Sequence, residues 1–395
     1  MRIGVNCALL QPESGGVRQY FARLMTGLLD EGRDDLTFFH RRARASLLDD
    51  LLPSSWRTAA VALEYTHQIA DALRSVDVYF CPFGLLTPRP VPAAAVVTLG
   101  DVQEVHHPEF FGIRERWSRL YHHAASTRAA QRVITFSEFS RRSIAAAHRI
   151  PVAKIDVAYQ APAAIEAAEG VLPAGLPERF ILYPANLWRH KNHEALMRAL
   201  AAARDRDGII IPCVLTGQEV PHGWDPRTAV ARHHLEGQVS FLGYVPEEVM
   251  PALYRRAVAL AFPSLFEGFG LPLVEAMAAG CPVSCSRRTS LPEVAGDAAL
   301  YFEPDDPQDI ARTLIRLWTD TTLRAVLAEK GRARARRFTL ATMIEVHRRA
   351  FTQARDDFAA HGPYAETARA RVYALFASGW QSIRSRPQWL ASHAG

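Results

Sequence analysis

Two glutamates, Glu267 and Glu275, flank a glycine-rich corner in the stretch FPSLFEGFGLPLVEAMAAG, residues 262–280. Gly268, Gly270 and Pro272 lie between them. A carboxylate accepts hydrogen bonds from two neighbouring hydroxyls, the way proteins grip ribose and sugar diols. Glycines leave backbone N–H groups open to phosphate. Glu267 follows an apolar run and precedes a helix pattern, which suits such a grip. Glu275 also has a purely architectural account. Pro272 fits the first helical position, and an acid in the first turn complements the helix dipole. A glycosidase acid pair is a third chemistry, and it needs a carboxylate separation that a sequence does not display.

Other stretches supply complementary groups. NLWRHKNH, residues 186–193, offers Arg189 and Lys191, two cations that could neutralise a diphosphate leaving group; ordinary solvated charge is the alternative. Asn192 is placed to cap the helix that follows. His190 and His193 flank the cations without metal-ligand partners. In QPESGGVRQY the Gly15–Gly16 pair permits a tight turn and a close backbone approach to an anion, or is a plain strand-to-helix turn. It is not GxGxxG, so a dinucleotide fold is poorly supported. Asp101 and Ser137 each end an apolar run, and Ser137 could equally cap EFSRRSIAAAH. Ser290 and Glu293 have the spacing of a capping box. The five cysteines, Cys7, Cys81, Cys213, Cys281 and Cys285, read as buried reduced thiols, and no zinc cluster is complete.

What must position these groups is an alternation of short apolar runs with longer helical patterns, the mark of βαβ units and parallel sheets. Strands are expected near residues 2–10, 76–82, 93–100 and 132–137, then near 179–185, 209–217, 238–244, 257–263 and 282–286. The polar and glycine-rich stretches follow these runs directly, at the carboxyl ends of strands, where such sheets bind ligands. The chain has 395 residues, long enough for two domains. The expected division is a Rossmann-like domain over 1–165, a linker over 166–178, a second Rossmann-like domain over 179–345, and a helical segment over 346–395 packing back on the first domain. A net charge of +5 is too mild for a dedicated nucleic-acid binder, although it could favour anionic membrane surfaces. With no signal-peptide pattern and no apolar run of about 20 residues, the expected location is cytoplasmic, with contact at the inner membrane face. The segment 110–132 sets Ile113, Trp117, Leu120 and Tyr121 at helical spacing among arginines. A core-facing amphipathic helix is its first reading and a lipid-resting one its second. The tail 368–390 mixes arginines with Phe376, Trp380 and Trp389, for packing, membrane or subunit contact.

With these residues in view, the chain resembles the retaining glycosyltransferases of family 4, whose two facing Rossmann-like domains form the GT-B architecture. The likeness runs over residues 1–350. It is strongest from GYVPEEVMPALYRRA through the E-x7-E corner to SLPEVAGDAALYFEPDDPQDIA, with YPANLWRHKNH and VITFSEFSRRSI also similar. The resemblance implies a nucleotide-diphosphate sugar in the second domain and a saccharide or lipid-linked saccharide acceptor at the first. Glu275 would hold the ribose hydroxyls, and Glu267 would face the donor sugar near its anomeric carbon. The backbone of Gly268, Phe269, Gly270 and Leu271 would meet sugar and phosphate, and Arg189 and Lys191 would neutralise the diphosphate. Tyr244 and Val245 would lie by the base, with Gly15 and Gly16 near the phosphates and Gly217 and Asn186 completing the donor site. Glu267, Lys191, Arg189 and Asp101 are the expected catalytic set. No metal or resident cofactor is implied, and front-face retention is the implied mechanism. GDP-mannose is favoured over UDP-, ADP- or dTDP-sugars. Two positions depart from the pattern: many relatives carry Arg or Lys where this chain has Asn186, and His where it has Gly100. A sugar-nucleotide epimerase or hydrolase, and a non-catalytic protein of the same architecture, are the competing readings.

Overall fold

The computed structural model describes residues 1–11, 15–63, 69–163, 172–220 and 223–363. Seven strands, β1 Arg2–Asn6, β2 Asp35–Arg41, β3 Ala60–Leu63, β4 Val78–Cys81, β5 Ala94–Thr98, β6 Arg132–Thr135 and β7 Ile155–Val157, form one sheet in the order β3-β2-β1-β4-β5-β6-β7. Six more, β8 Ile181–Pro184, β9 Cys213–Thr216, β10 Val239–Phe241, β11 Ala259–Phe262, β12 Val283–Ser286 and β13 Ala299–Phe302, form a second in the order β10-β9-β8-β11-β12-β13. Every pairing is parallel. Helices cover such sheets on both faces, which is why β11 reads as an unbroken apolar run and β5 is apolar up to Thr98, both buried throughout.

The architecture is thus two doubly wound α/β units, as the sequence predicts. The expected strands are present but shorter. β2, β3, β7 and β13 went unpredicted: DLTFFHR and IDV carry charged residues, and AVAL and ALYF continue from alanines that suit a helix equally. Strand order reverses between β1 and β4 in the first sheet and between β8 and β11 in the second. Loops diverge at such a reversal and leave a crevice at the strands' carboxyl ends.

The helix Leu340–His361 leaves the second sheet and lies on the first. Its Phe351 ring sits 5.2 Å from Phe80 of β4, and Ile344 packs so close to Gly27 that a Cβ there would lie 2.6 Å away. His347 on this helix is buried. Its Nδ1–H donates to the Met343 carbonyl at 2.7 Å, which leaves Nε2 to accept from the Tyr20 hydroxyl at 2.5 Å. The tail aromatics Phe376, Trp380 and Trp389, and residues 166–171 of the expected linker, lie outside the described residues. All five cysteines are buried and free, as expected. Among the described residues no helix is long and apolar enough to cross a membrane.

Candidate active site

The loops after β8 and β11 meet at the reversal of the second sheet. Lys191, after β8, donates from Nζ to Glu267 Oε1 at 2.6 Å, and both side chains are largely buried. The Lys191 ammonium also lies 5.5 Å from the centre of the Phe262 ring at the end of β11. The Glu267 backbone is held on both sides: its N–H donates to Thr289 Oγ1 at 3.1 Å, and its carbonyl accepts from Ser290 Oγ at 2.9 Å. Arg189 is exposed and borders a cavity of about 300 Å³ with Asn192, His193, Glu194 and Trp224.

The corner itself turns on glycine. Gly270 has φ +99°, and a Cβ there would lie 2.6 Å from Leu291, so no other residue fits without rearrangement. The helix that follows is Leu271–Ala278, with Gly270 as its N-cap and Pro272 in its first turn. Glu275 therefore falls beyond the first turn, where the dipole is weak, which corrects the architectural account of its position. Its carboxylate has specific partners instead: the Tyr254 hydroxyl donates to Oε2 at 3.0 Å, and Arg23 Nη2 donates to Oε1 at 3.3 Å. Burial raises the Glu275 pKa, and Arg23 and Tyr254 pull it back.

The first domain closes against this corner. Ser137 and Ser140, at the start of the helix Glu138–His148, donate from Oγ to the Gly268 carbonyl at 2.8 and 3.2 Å. A Cβ on Gly268 would lie 2.7 Å from the Gly100 carbonyl and 2.9 Å from Asp101 Oδ2. Asp101 thus sits directly across from the Glu267 corner. Burial pushes its carboxyl up to about 6; the Gln103 N–H opposes this, while Glu104 and Glu267 add to it. Gly100 lies against Phe136, whose ring a Cβ would approach to 3.1 Å, so the departure there matches a tight contact. His106 and His107 both pack on Phe266, 5.3 and 5.6 Å between ring centres.

The remaining predicted residues divide. Asn186 Oδ1 accepts from the Gln218 N–H at 2.9 Å, so this departure from the cation pattern ties the β8 loop to the β9 loop. Gly217 beside it has φ +131° and would set a Cβ 2.2 Å from the Ala185 carbonyl oxygen. Tyr244 is 67% exposed and Val245 half-buried. Gly15 and Gly16 open the helix Gly15–Glu31, and a Cβ on either would meet no atom of the described residues within 4 Å. Ser137 is an N-cap, accepting from the Ser140 N–H at 3.0 Å.

Three local expectations are corrected. Asn192 does not cap its helix. It lies at φ +59° and donates from Nδ2 to the carbonyls of Pro263 and Pro304. Ser290 and Glu293 form no capping box either. Ser290 Oγ serves the corner carbonyls, and Glu293 reaches across to the first domain. There it accepts from the N–H groups of Glu138 at 2.7 Å and Phe139 at 3.0 Å, and from the Tyr159 hydroxyl at 3.0 Å. An acid at another helix's N-terminus takes up donors that a local cap would otherwise serve. The helix Ile113–Ala129 turns its leading apolar residues outward, Ile113 79% and Trp117 67% exposed, so it is not core-facing over that half. Sequence reasoning missed Arg23, Glu247, Tyr254 and Thr289. Each acts on a residue far away in the chain, and none sits in a local pattern. Among the described residues no group of three His, Cys, Asp or Glu could hold a metal ion.

Residues 165–334 match the family model of glycosyl transferases group 1. The chain is 32% identical over 259 residues to O-antigen chain mannosyltransferase B of Escherichia coli, covering 62% of this chain and 66% of that protein. It is 29% identical over 210 residues to O-antigen chain mannosyltransferase RfbU of Salmonella typhimurium, covering 53% and 57%. The matches thus span less than two thirds of each relative's length. Among solved structures, Anabaena Alr3699/HepE in complex with UDP and glucose superimposes with TM-score 0.72 at 18% identity, over 89% of this chain and 99% of that one. Sucrose-phosphate synthase from Thermosynechococcus elongatus gives 0.72 at 19% identity, over 89% and 98%. The fold is therefore GT-B, and the second domain is similar in sequence to the group 1 glycosyltransferases.

Proposed function

We propose that this protein is a retaining hexosyltransferase of family 4 that moves a sugar from a nucleoside-diphosphate donor to a saccharide or glycolipid acceptor in glycan assembly. The observation that carries the reading is the Lys191–Glu267 pair at the reversal of the second sheet, with Glu275 on the next helix and Asp101 opposite. Mannose is the preferred sugar and GDP-mannose the preferred donor. The named mannosyltransferases among the relatives support the sugar; HepE, whose structure holds UDP, keeps the base open.

In this reading Glu275 accepts the ribose hydroxyls, and the backbone from Gly268 to Leu271 faces sugar and phosphate. Lys191 and Arg189 neutralise the diphosphate, without a metal. The bond from the anomeric carbon to the diphosphate oxygen breaks as the acceptor oxygen bonds to the same face. The acceptor's proton passes to the departing diphosphate, whose negative charge the two cations stabilise as it develops. Acceptors dock on the first domain, beside Asp101. The protein works in the cytoplasm at the inner membrane face.

Thermal unfolding with UDP, GDP, ADP, dTDP and their sugars tests the donor site. Ligand at a hundred times its dissociation constant stabilises the fold by about 2.7 kcal/mol. We expect one nucleotide class to raise the melting temperature and Glu275→Ala to abolish the shift. No shift with any of them would overturn the reading, and free sugar released as fast without acceptor would replace transfer by hydrolysis.

A further inference from the structure

Glu275 belongs to the second domain, yet one of its two partners comes from the first. Arg23 lies on the helix Gly15–Glu31, 14% exposed, and reaches across the interface. Its Nη1 donates to the Ala161 carbonyl at 2.8 Å, where the chain leaves the first sheet. Its Nη2 is shared between Glu275 Oε1 and Glu247, the latter on the exposed loop before the helix Met250–Arg256. One guanidinium therefore binds two carboxylates of the opposite domain and the carbonyl of its own.

The arrangement leaves a specific vacancy in hydrogen-bonding capacity. A carboxylate has about four acceptor sites, two on each oxygen. Arg23 takes one on Oε1 and Tyr254 takes one on Oε2. One site remains on each oxygen, which is the complement of two adjacent hydroxyls on one ring. The donors already in place also fix the plane of the carboxylate, so that little ordering is left for a ligand to impose.

We propose that Arg23 is a donor-positioning residue: from the first domain it pairs and orients the Glu275 carboxylate for the vicinal hydroxyls of the donor's ribose, so that tight donor binding requires the two domains to be closed on each other. This rests on the reading of Glu275 as the ribose-binding residue. Arg23 touches no reacting atom; it acts through Glu275. The groups facing Glu275 are Arg23 from the first domain, Tyr254 from the helix 250–256 with Cys281 behind it, and Glu247 from the preceding loop. Only Arg23 brings positive charge to that set. Without it, burial and Glu247 would favour the protonated carboxyl, which accepts less well from a diol.

The test compares UDP, GDP and ADP with their 2′-deoxy counterparts by calorimetry, on the wild type, Arg23→Met and Arg23→Lys. A hydrogen bond to a charged group corresponds to about a tenfold preference for the ribonucleotide, and we expect the wild type to show it. In Arg23→Met that preference should shrink to about twofold and return in part as pH is raised, because burial and Glu247 hold the unpaired carboxyl towards its protonated form. Arg23→Lys should keep most of it. If Arg23→Met weakens ribo- and deoxyribonucleotides equally, or leaves the preference intact, the positioning role is overturned while the donor site stands. If the wild type binds none of the six, or binds them without preference, the ribose reading of Glu275 falls and the proposal falls with it. Arg23→Lys, which keeps the charge, supplies a folded comparison should Arg23→Met fold poorly.

Discussion

Lys191 and Glu267 hold opposite charges 2.6 Å apart in a largely buried setting, so each fixes the other where a diphosphate sugar would lie. Removing the ammonium would take away the charge proposed to stabilise the leaving group, and it strands the carboxylate. Lys191→Met should lower kcat by about 10²–10³, read as nucleoside diphosphate released under saturating donor. Asp101 makes a different prediction. Its carboxyl is pushed up from 3.8 to about 6, so the folded protein binds this proton more tightly than the unfolded chain does. Its contribution to stability therefore falls as pH rises from about 4 to about 6. Asp101→Asn keeps an oxygen for the Gln103 N–H and removes the charge. We expect it to stabilise the fold by about 1–2 kcal/mol at neutral pH and by nothing near pH 4, measured by urea unfolding against the wild type.

At the scale of elements, the site depends on loops whose shape only glycine permits, and not every glycine is of that kind. Gly217 combines φ +131° with a Cβ position 2.2 Å from a backbone oxygen of the neighbouring loop. Gly217→Ala should cost about 3 kcal/mol or more, because neither backbone can yield locally. Gly16 faces open space at the start of its helix, so Gly16→Ala should leave the melting temperature unchanged or slightly raised. If phosphates approach that turn, as the family resemblance implies, nucleotide affinity falls in Gly16→Ala while the fold is kept. Calorimetric titration together with thermal unfolding separates the two effects.

The whole molecule is held by residues that bridge its parts. Glu293 occupies the N-terminus of a first-domain helix, Ser137 and Ser140 hold the Gly268 carbonyl, and the helix Leu340–His361 returns to the first sheet. Burial depresses His347 and His148 to about 4 and His193 to about 3. Each is neutral in the fold and gains a proton more readily once unfolded. The stability they contribute is present above the ordinary 6.5 and is lost as pH falls towards 4. For His347 alone the loss reaches about 3 kcal/mol. Thermal unfolding between about pH 7.5 and 4.5 should show this decline, and His347→Gln, less stable at neutral pH, should lose less on acidification.

The sequence by itself determined the two parallel-sheet units, the strand-end location of the polar loops, and the corner with its two glutamates. Those are local matters: apolar runs must be covered on both faces, and a glycine turn must follow where the chain reverses into a helix. IDV carries a central Asp and AVAL lies in an alanine-rich stretch, so neither gives a clear strand signal, and sheet pairing alone defines them. Glu275 shows the division most clearly. Its place in the motif was legible, but its first-turn position was not correct, and its partners Arg23 and Tyr254 lie 252 and 21 positions away in the chain. Glu293 is the same case, with the spacing of a local cap and partners more than a hundred residues distant. A carboxylate takes the best donors that folding brings within about 3 Å, and sequence spacing carries no record of which ones those are. Only the tertiary structure, by closing one sheet's loops against the other's, decided that the site is built from both domains.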